Sequence, residues 1–293
     1  MTTPAALIRH NAPLGEKSWF GTGGAADVLF EPKTKEALIA FLKALSPETP
    51  LTILGGMSNV LIRDGGVRGV VIRLGAGFAE VQRQDDRTVR LGAACRDMKI
   101  ADASALWGLS GFEFLCGIPG WLGGAVAMNA GASGSCLADV FVSATVLDRA
   151  GREHIITTRD LSFGYRTSGL PAGMIVTDVI LRGAPSDPET IKATLAAQRA
   201  KRKQDQPVNT RTGGSTFKNP HGHSAWSLID AAGLRGYRIG AAQISEKHTN
   251  FLVNLGGASS SQLEALGEHA RQTVLQRTGI ELFWEIQRLG DPL

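Results

Sequence analysis

The stretch GFEFLCGIPGWLGGAVAMNAGA at residues 111–132 decides how this chain is interpreted, because six of its 22 residues are glycine. Glycine lets the backbone adopt positive φ and approach a ligand closely, and main-chain amides exposed in this way can bind a diphosphate. The stretch therefore predicts a nucleotide-binding loop. Taken by itself it would also suit a structural role, since tight turns and strand corners use glycine too.

Two further clusters of the chain's 36 glycines support a nucleotide site: GTGGAAD at residues 21–27 and LGGMSNVLIRDGG at residues 54–66. The usual nucleotide motifs are absent from the sequence. It contains no GxxxxGK[ST], and no GxGxxG joins a first strand to a helix with an acidic residue about 20 positions later. A phosphate-loop NTPase is therefore excluded, and a Rossmann cofactor domain is not expected.

Composition indicates a globular protein of two or three domains, with 293 residues, 43% hydrophobic and 20% charged. No segment approaches the roughly 20 apolar residues of a membrane span, and the N-terminus lacks the pattern of a secretion signal, so we expect a cytoplasmic protein. Cys95, Cys116 and Cys136 form neither a CxxC pair nor an even set, which predicts small buried residues without disulfide or zinc. His221 and His223 lack a third ligand, so no metal is expected.

Local patterns predict a mixture of helices and strands, and hence an α+β protein. Helices are expected after Thr34, after Asp187, and after Ser259 with a left-handed stop at Gly279. Runs of β-branched residues predict strands at residues 51–54, 60–62, 70–74, 142–147, 174–181 and 250–255. Turn residues place the best domain boundary at residues 183–190 and a weaker one at residues 74–78.

Positive charge is concentrated at residues 192–218, which contain seven basic residues and a single acidic one, Asp205. Such a cluster suits a small anionic ligand such as a nucleotide diphosphate. A solvated helix face is an equally good interpretation, because runs of charge on helices often have no other role.

The order of six motifs along the chain resembles the UDP-N-acetylenolpyruvoylglucosamine reductases. These motifs are GTGGAAD, GGMSNVLIRDGG, the stretch at residues 111–132, SFGYRTS at 162–168, GGSTFKNP at 213–220 and ELFWEIQRLG at 281–290. The resemblance runs from about residue 18 to residue 290. Only 48 residues separate Arg166 from Ser215, which is similar to the shorter family type that lacks an extra tyrosine loop.

This resemblance implies a vanillyl-alcohol-oxidase/PCMH-type FAD-binding fold of two lobes, residues 1–74 and 75–183, plus a C-terminal α+β substrate domain at residues 184–293. It implies non-covalent FAD and NADPH as hydride donor. The chain departs from the family pattern at Met57, Cys116 and Trp121. The residues that the resemblance assigns to the cofactor are Gly55, Gly56, Met57, Ser58, Asn59, Ile118, Pro119, Gly120, Gly123, Gly124, Asn129, Ala130 and Gly131.

The implied reaction reduces UDP-N-acetylenolpyruvoylglucosamine to UDP-N-acetylmuramate in peptidoglycan precursor synthesis. By resemblance, Arg166 and Glu285 hold the substrate carboxylate and the developing charge, and Ser215 delivers a proton. Substrate contacts are expected from Tyr165, Lys218 and Asn219. Each of these side chains, taken singly, is also what a loop or surface residue looks like.

Two other functions remain as alternatives. One is a flavin oxidase or dehydrogenase of the same fold acting on a hydroxy acid or sugar lactone, which would share the two flavin loops but not the three later motifs. The other is a non-enzymatic nucleotide- or RNA-binding protein, suggested by the basic segment and a pI near 9.1. We expect a UDP-amino sugar as the substrate, with no nucleic acid, membrane or obligatory protein partner.

Overall fold

A computed structural model describes residues 6–293 of the chain. Its helices are α1 Lys35–Ala44, α2 Asp97–Trp107, α3 Leu122–Met128, α4 Pro188–Asp205, α5 Ala225–Ala231 and α6 Ser260–Thr278. The strands of the first half are β1 Ala6–Pro13, β2 Ala25–Pro32, β3 Leu51–Leu54, β4 Val60–Ile62, β5 Val67–Arg73, β6 Val81–Arg83, β7 Thr88–Gly92, β8 Leu109–Ser110, β9 Gly131–Ala132, β10 Ser135–Cys136 and β11 Phe141–Leu147. The remaining strands are β12 Glu153–Thr157, β13 Ile175–Arg182, β14 Ala184–Pro185, β15 Arg238–Ile239, β16 Ala242–Ile244, β17 Leu252–Asn254 and β18 Gln287–Leu289.

The chain forms two compact units, and each consists of segments that are separate in the sequence. Unit 1 comprises the residues up to His10, Val28–Gly56 and Gly69–Lys201. Unit 2 comprises Asn11–Asp27, Met57–Arg68 and Arg202–Leu293. Among the described residues, no helix is long and apolar enough to cross a membrane.

Two loops that matter for the site begin where strands of two different sheets end. In one sheet the strand order is β12-β11-β13-β7-β6, with antiparallel neighbours throughout. A second has the order β1-β2-β5-β3, in which β3 and β5 run parallel and Leu51 lies opposite Val70. The loop that leaves β3 begins at Gly55, and the connection that follows β7 leads into α2.

The core of unit 1 is apolar and continuous, and α1 shows how the sequence builds it. Thr34 caps the helix by accepting a hydrogen bond from the Ala37 N–H at 3.2 Å, and Leu38 and Leu42 are buried one turn apart. Burying a leucine side chain contributes roughly 1.5–3 kcal/mol. The helix is therefore fixed by its cap and by one apolar stripe.

In unit 2 the loop that follows β4 contacts the N-terminus of α6. Asp64 accepts hydrogen bonds from the main-chain N–H groups of Ser260 and Ser261 at 2.9 and 2.8 Å. Burial alone would raise the pKa of Asp64, but hydrogen bonds from Ser261 and Ser260 outweigh it and lower the pKa. The parallel pairing of β4 with β18 likewise joins the chain near residue 60 to the segment that follows α6.

Most of the predicted elements are confirmed. The helices after Thr34, Asp187 and Ser259 form as α1, α4 and α6, and α6 ends at Gly279 with φ +71°. The predicted strands are present, although the one expected at residues 250–255 is limited to Leu252–Asn254. The patterns did not indicate α2, α3 or α5, and α3 forms inside the stretch that looked like a loop.

Candidate active site

Main-chain pairing places the glycine-rich stretch beside the connection between β7 and α2. The Leu122 N–H donates to the Cys95 carbonyl oxygen at 2.9 Å, and the Gly123 N–H donates to that of Ala93 at 2.8 Å. A Cβ added at Gly123 would lie 3.1 Å from the Ala93 Cβ. Glycine at this position therefore lets the start of α3 lie directly against the β7–α2 connection.

A cleft in unit 1 brings the two predicted cofactor loops together. Gly55 of the first loop and Gly123 and Gly124 of the second line its wall, with apolar side chains around them. A Cβ added at Gly124 would meet nothing within 4 Å, so the backbone there faces open space. Glycine backbones beside an apolar cleft fit a dinucleotide with a diphosphate and flat rings. The other lining residues are Ile53, Leu54, Leu74, Ala93, Trp121, Ala127, Leu170, Met174 and Val176.

Trp121, one of the departures from the family pattern, helps to hold the first loop. The guanidinium of Arg73 lies over its ring at 4.6 Å, and the Arg73 Nε donates to the Gly55 carbonyl oxygen at 3.3 Å. A Cβ added at Gly56 would come within 3.1 Å of the tryptophan ring. The large side chain is accommodated because glycine stands opposite it.

The end of the first loop lies in unit 2. Met57 has φ +54° although it is not glycine, its side chain is 4% exposed, and its carbonyl oxygen accepts a hydrogen bond from the Trp19 N–H. The Asn59 Nδ2 donates to the main-chain oxygen of Glu285 at 3.1 Å, and the Gln287 N–H donates to the Asn59 carbonyl oxygen at 3.0 Å. A predicted cofactor residue thus contacts the segment of a predicted catalytic residue.

The second predicted cofactor segment surrounds α3. Ile118, Pro119 and Gly120 lie between a 3₁₀ turn at Glu113–Gly117 and the helix, and Ala130 and Gly131 follow it. A Cβ at Gly131 would come within 2.9 Å of Cys136, so only glycine allows the β9–β10 hairpin to close.

Asn129 ends α3 in the left-handed region with φ +44° and is 6% exposed. Asparagine is among the residues that tolerate this conformation best after glycine. Its Nδ2 donates to the Gly164 carbonyl oxygen and its Oδ1 accepts from the Ala138 N–H, both at 2.9 Å. The whole side-chain amide is therefore bonded within unit 1.

The SFGYRTS segment forms a tight turn that carries Arg166. Gly164 and Thr167 are bridged across the turn, and Arg166 at its tip has φ +58°. The Arg166 guanidinium lies 5.0 Å from the ring centre of Tyr165, whose side chain is 54% exposed. Ser168 is fully buried, and its Oγ donates to the Ala127 carbonyl oxygen at 3.0 Å, which ties the turn to α3.

Ser215 and Glu285 lie on neighbouring extended segments of unit 2. Phe217 is bridged antiparallel to Trp284, and the Glu285 N–H donates to the Thr216 carbonyl oxygen at 2.8 Å. Ser215 is half-buried and Glu285 is 9% exposed. The structure therefore brings these two predicted catalytic residues together in one unit.

The predicted substrate contacts occupy different positions. Lys218 extends the same pairing, since its N–H donates to the Phe283 carbonyl oxygen at 2.8 Å. Asn219 is exposed, and its Oδ1 accepts from the Ala225 N–H at 2.9 Å, which satisfies the first main-chain donor of α5. Tyr165 lies in unit 1.

Sequence patterns did not reveal the polar contacts around Trp284, the residue that precedes Glu285. The Trp284 Nε1 donates to Glu268 at 2.6 Å, and Arg288 lies over the tryptophan ring at 4.6 Å. Arg288 also pairs with Glu268 at 3.2 Å. Glu268 lies on α6 and Arg288 on β18, so no local sequence motif predicts their contact.

Other predicted features are placed as follows. Cys95 and Cys116 are buried and Cys136 is half-buried, so the expectation of burial is wrong for Cys136. In the basic segment, Lys192 pairs with Glu189 at 2.7 Å and Arg199 pairs with Asp102. Within residues 6–293, no group of three His, Cys, Asp or Glu residues could hold a metal ion.

Known proteins match this chain at the level of sequence models and of whole structures. Residues 26–157 match an FAD binding domain, and residues 206–289 match the C-terminal domain of UDP-N-acetylenolpyruvoylglucosamine reductase. A reductase of this name from Gluconobacter oxydans is 51% identical over 97% of this chain and 92% of its own length. The corresponding protein of Rhodopseudomonas palustris is 50% identical over 96% and 91%.

The chain belongs to the UDP-N-acetylenolpyruvoylglucosamine reductase family. The crystal structure of the Thermus caldophilus member agrees, with a TM-score of 0.84, 36% identity, and coverage of 97% of this chain and 100% of that one. Membership of this family confirms the predicted α+β fold class with its PCMH-type FAD-binding part. It also confirms an FAD-dependent oxidoreductase.

Proposed function

We infer that this chain uses NADPH and FAD to reduce UDP-N-acetylenolpyruvoylglucosamine to UDP-N-acetylmuramate in peptidoglycan precursor synthesis. The observation that carries this conclusion is the pairing of an FAD-binding match with a reductase-specific C-terminal match in one chain. A flavin oxidase of the same fold would account for the first match only. A nucleic-acid-binding protein would account for neither.

The cofactor is held without a covalent bond, by the two loops that meet in the unit 1 cleft and by their continuations. Bound FAD would supply the hydride chemistry that links NADPH to the enolpyruvyl methylene carbon. The proposed cofactor residues are Gly55 to Asn59 in the first loop and, in the second, Ile118, Pro119, Gly120, Gly123, Gly124, Asn129, Ala130 and Gly131. Gly124 supports this assignment best, because its backbone faces the open cleft.

Arg166 binds the substrate carboxylate. Hydride addition to the methylene carbon builds negative charge on the neighbouring carbon and its carboxylate, and a guanidinium stabilises that charge with two parallel hydrogen bonds. Arg166 lies at the tip of a turn with φ +58° and is half-buried. Tyr165, whose ring lies under the guanidinium, restricts its orientation.

Ser215 donates the proton that completes the reduction, and Glu285 stabilises the charge that precedes it. Serine is a weak acid, so the hydroxyl acts only where neighbouring N–H groups or a cation such as Lys218 stabilise its alkoxide. As an ionised carboxylate Glu285 would repel the developing charge, so this role requires either a protonated carboxyl group or a water bridge to the substrate. Lys218, Asn219 and Tyr165 complete recognition of the substrate.

We propose that the reaction takes place in the cytoplasm on a UDP-amino sugar, without nucleic acid, a membrane or an obligatory protein partner. Cys95, Cys116 and Cys136 form no disulfide within residues 6–293, which suits a reducing compartment. The chain's net charge of +4 is small, and two cations of its basic segment have local acidic partners.

Two half-reactions test this function. Under anaerobic conditions NADPH should bleach the flavin absorbance of the purified protein, and UDP-N-acetylenolpyruvoylglucosamine should restore it with formation of UDP-N-acetylmuramate. A hydroxy acid or a sugar lactone should produce no change in the flavin spectrum. Flavin that stays reduced after addition of the enolpyruvyl substrate would refute the proposed reaction.

A further inference from the structure

Asn59 and Asn129 have the same unexpected geometry. Each belongs to a predicted cofactor loop, yet each directs its side-chain Nδ2 to a main-chain carbonyl oxygen in a segment that carries a proposed catalytic residue. Asn129 contacts Gly164 at 2.9 Å, two residues before Arg166. Asn59 contacts Glu285 itself at 3.1 Å.

The contact of Asn129 fixes the base of the Arg166 turn. Because the amide oxygen is bonded to the Ala138 N–H, the side chain has one orientation, and Nδ2 points to Gly164. Gly164 is bridged to Thr167, so its carbonyl lies at the closure of the turn. A shift of Gly164 would move Arg166, which is held in a conformation that few residues other than glycine adopt.

Asn59, the residue before β4, binds the main chain of Glu285, which lies two residues before β18. Its side chain binds the Glu285 carbonyl oxygen, and its own carbonyl oxygen accepts from the Gln287 N–H at 3.0 Å. The next residue, Val60, begins the parallel pairing of β4 with β18 opposite Gln287. The two hydrogen bonds therefore extend this pairing back to the residue that carries the carboxyl group.

We propose that Asn59 and Asn129 are positioning residues, which align Glu285 and Arg166 for the substrate half-reaction through their side-chain amides. This inference rests on the proposed function, since it takes the roles of Arg166 and Glu285 from it. Each asparagine then joins a cofactor loop to one catalytic group. Loss of the amide should impair substrate reduction more than cofactor binding.

Isosteric variants isolate the amide donor. Asn129→Asp keeps an acceptor for the Ala138 N–H but replaces the donor to Gly164 with an oxygen, and Asn59→Asp does the same at Glu285. Asn129→Gly removes the side chain while allowing positive φ, and serves if the aspartate variant does not fold. Asn254→Asp is the matched control, because Asn254 donates its Nδ2 to the Phe20 carbonyl oxygen at 2.8 Å in a segment without a catalytic residue.

Stopped-flow measurements on the FAD-loaded proteins separate the possible roles. We expect reoxidation by UDP-N-acetylenolpyruvoylglucosamine to slow by about 10- to 100-fold per bound flavin in the Asn59 and Asn129 variants, since small misplacements of reacting groups have effects of that order. The dissociation constant of FAD, followed by flavin fluorescence, should change far less. Asn254→Asp should lower the melting temperature and leave reoxidation unchanged.

A double-variant comparison tests whether the asparagines act through their partners. In an Arg166→Ala background, Asn129→Asp should slow reoxidation by less than about twofold more, because the group that it positions has gone. The same holds for Asn59→Asp in a Glu285→Ala background. Additive effects in both backgrounds would overturn the proposal.

Two other results would also overturn it. Weaker FAD binding with normal reoxidation per bound flavin would make both asparagines cofactor ligands only. Equal slowing in Asn254→Asp would reduce all three to general fold stability. If the unmodified protein itself is not reoxidised by the enolpyruvyl substrate, the proposed function fails and the positioning role fails with it, whereas a working enzyme with unaffected variants refutes only the positioning role.

Discussion

The main-chain N–H of Asp97 donates to the Gly120 carbonyl oxygen at 3.1 Å, which ties the start of α2 to the glycine-rich stretch. The Asp97 side chain is fully buried, and neither carboxyl oxygen has a hydrogen-bond partner among residues 6–293. Burial raises the pKa of Asp97 well above its ordinary value. In the folded protein this carboxyl, beside a cofactor loop, therefore stays protonated to higher pH than it does in the unfolded chain.

Asp97→Asn should remove a pH-dependent loss of stability. In the unfolded chain the carboxyl ionises near pH 4, whereas in the folded chain it stays protonated to higher pH, so stability falls as pH rises between these values. The slope for one group is at most about 1.4 kcal/mol per pH unit. The neutral asparagine has no such slope, so its advantage in urea denaturation should be larger at pH 8 than at pH 5. The Cys95 thiol, whose pKa burial raises to about 11, does not titrate in this range. Parallel curves for the two proteins would show that Asp97 is ionised when folded.

We expect an unusual order of stability for the alanine and glycine variants of Met57. Its side chain is buried, but its φ of +54° costs a residue with a side chain roughly 1–2 kcal/mol. Met57→Ala loses the burial and keeps the strain, whereas Met57→Gly loses the burial and relieves the strain. Both should melt below the unmodified protein, and the glycine variant should be the more stable of the two by roughly 1 kcal/mol. Greater stability of the alanine variant would contradict this account.

Ser215→Ala should slow only the second half-reaction. Loss of a positioned proton donor typically costs roughly 10²- to 10⁴-fold, or about 3–5 kcal/mol of barrier. FAD content and flavin reduction by NADPH should stay normal, while reoxidation by the enolpyruvyl substrate slows by that factor. Thr216→Val is the matched control, because the neighbouring Thr216 hydroxyl is buried and makes no hydrogen bond within the described part of the chain. Normal reoxidation in Ser215→Ala would assign the proton to Glu285 or water.

Replacing Lys201, Arg202 and Lys203 together by glutamine should raise the apparent KM for the anionic substrate. Exposed charges are screened over about 10 Å at 0.1 M salt, so the increase should be larger at low salt than at high salt. Lys192→Gln on the same helix is the control, since Lys192 already pairs with Glu189. An unchanged KM at every ionic strength would make the cluster a solvated helix face.

All flavin should leave the protein when it is denatured in acid. Cys116 lies in the glycine-rich stretch, but its side chain is 1% exposed and its Sγ lies 3.5 Å from the Gln198 Oε1. A thiol packed in the core is poorly placed to form a bond to a ring in the cleft. Yellow colour that remains on the precipitated chain and disappears in Cys116→Ala would contradict the non-covalent assignment.

Sequence patterns predicted elements whose signal is local. The cap at Thr34 and the stop at Gly279 each depend on a few neighbouring residues, and both are present. The α3 helix was missed because Gly123 and Gly124 each lower helix propensity by about 1 kcal/mol. Pairing with the β7–α2 connection and burial of Leu122 and Val126 offset that cost.

The site was predicted by motif, but its supporting contacts were not. Motif order identified the family, and the family resemblance then assigned roles to Ser215, Arg166 and Glu285. The hydrogen bond from Asn59 to Glu285 spans 226 positions of sequence, and no local pattern records such a contact. The unusual residues at Met57 and Trp121 also became intelligible only with the structure, which shows a strained buried loop and a tryptophan facing glycine.

The parallel pair of β4 with β18 has a consequence for synthesis on the ribosome. Val60–Ile62 emerges early, while its partner Gln287–Leu289 is translated roughly 10–50 s later at about 5–20 residues per second. Unit 1 has all its residues once Lys201 has left the exit tunnel, but β4 and Asp64, which accepts hydrogen bonds from the first N–H groups of α6, wait for segments that follow. The nascent chain therefore completes unit 1 first and closes unit 2 only when translation has passed β18.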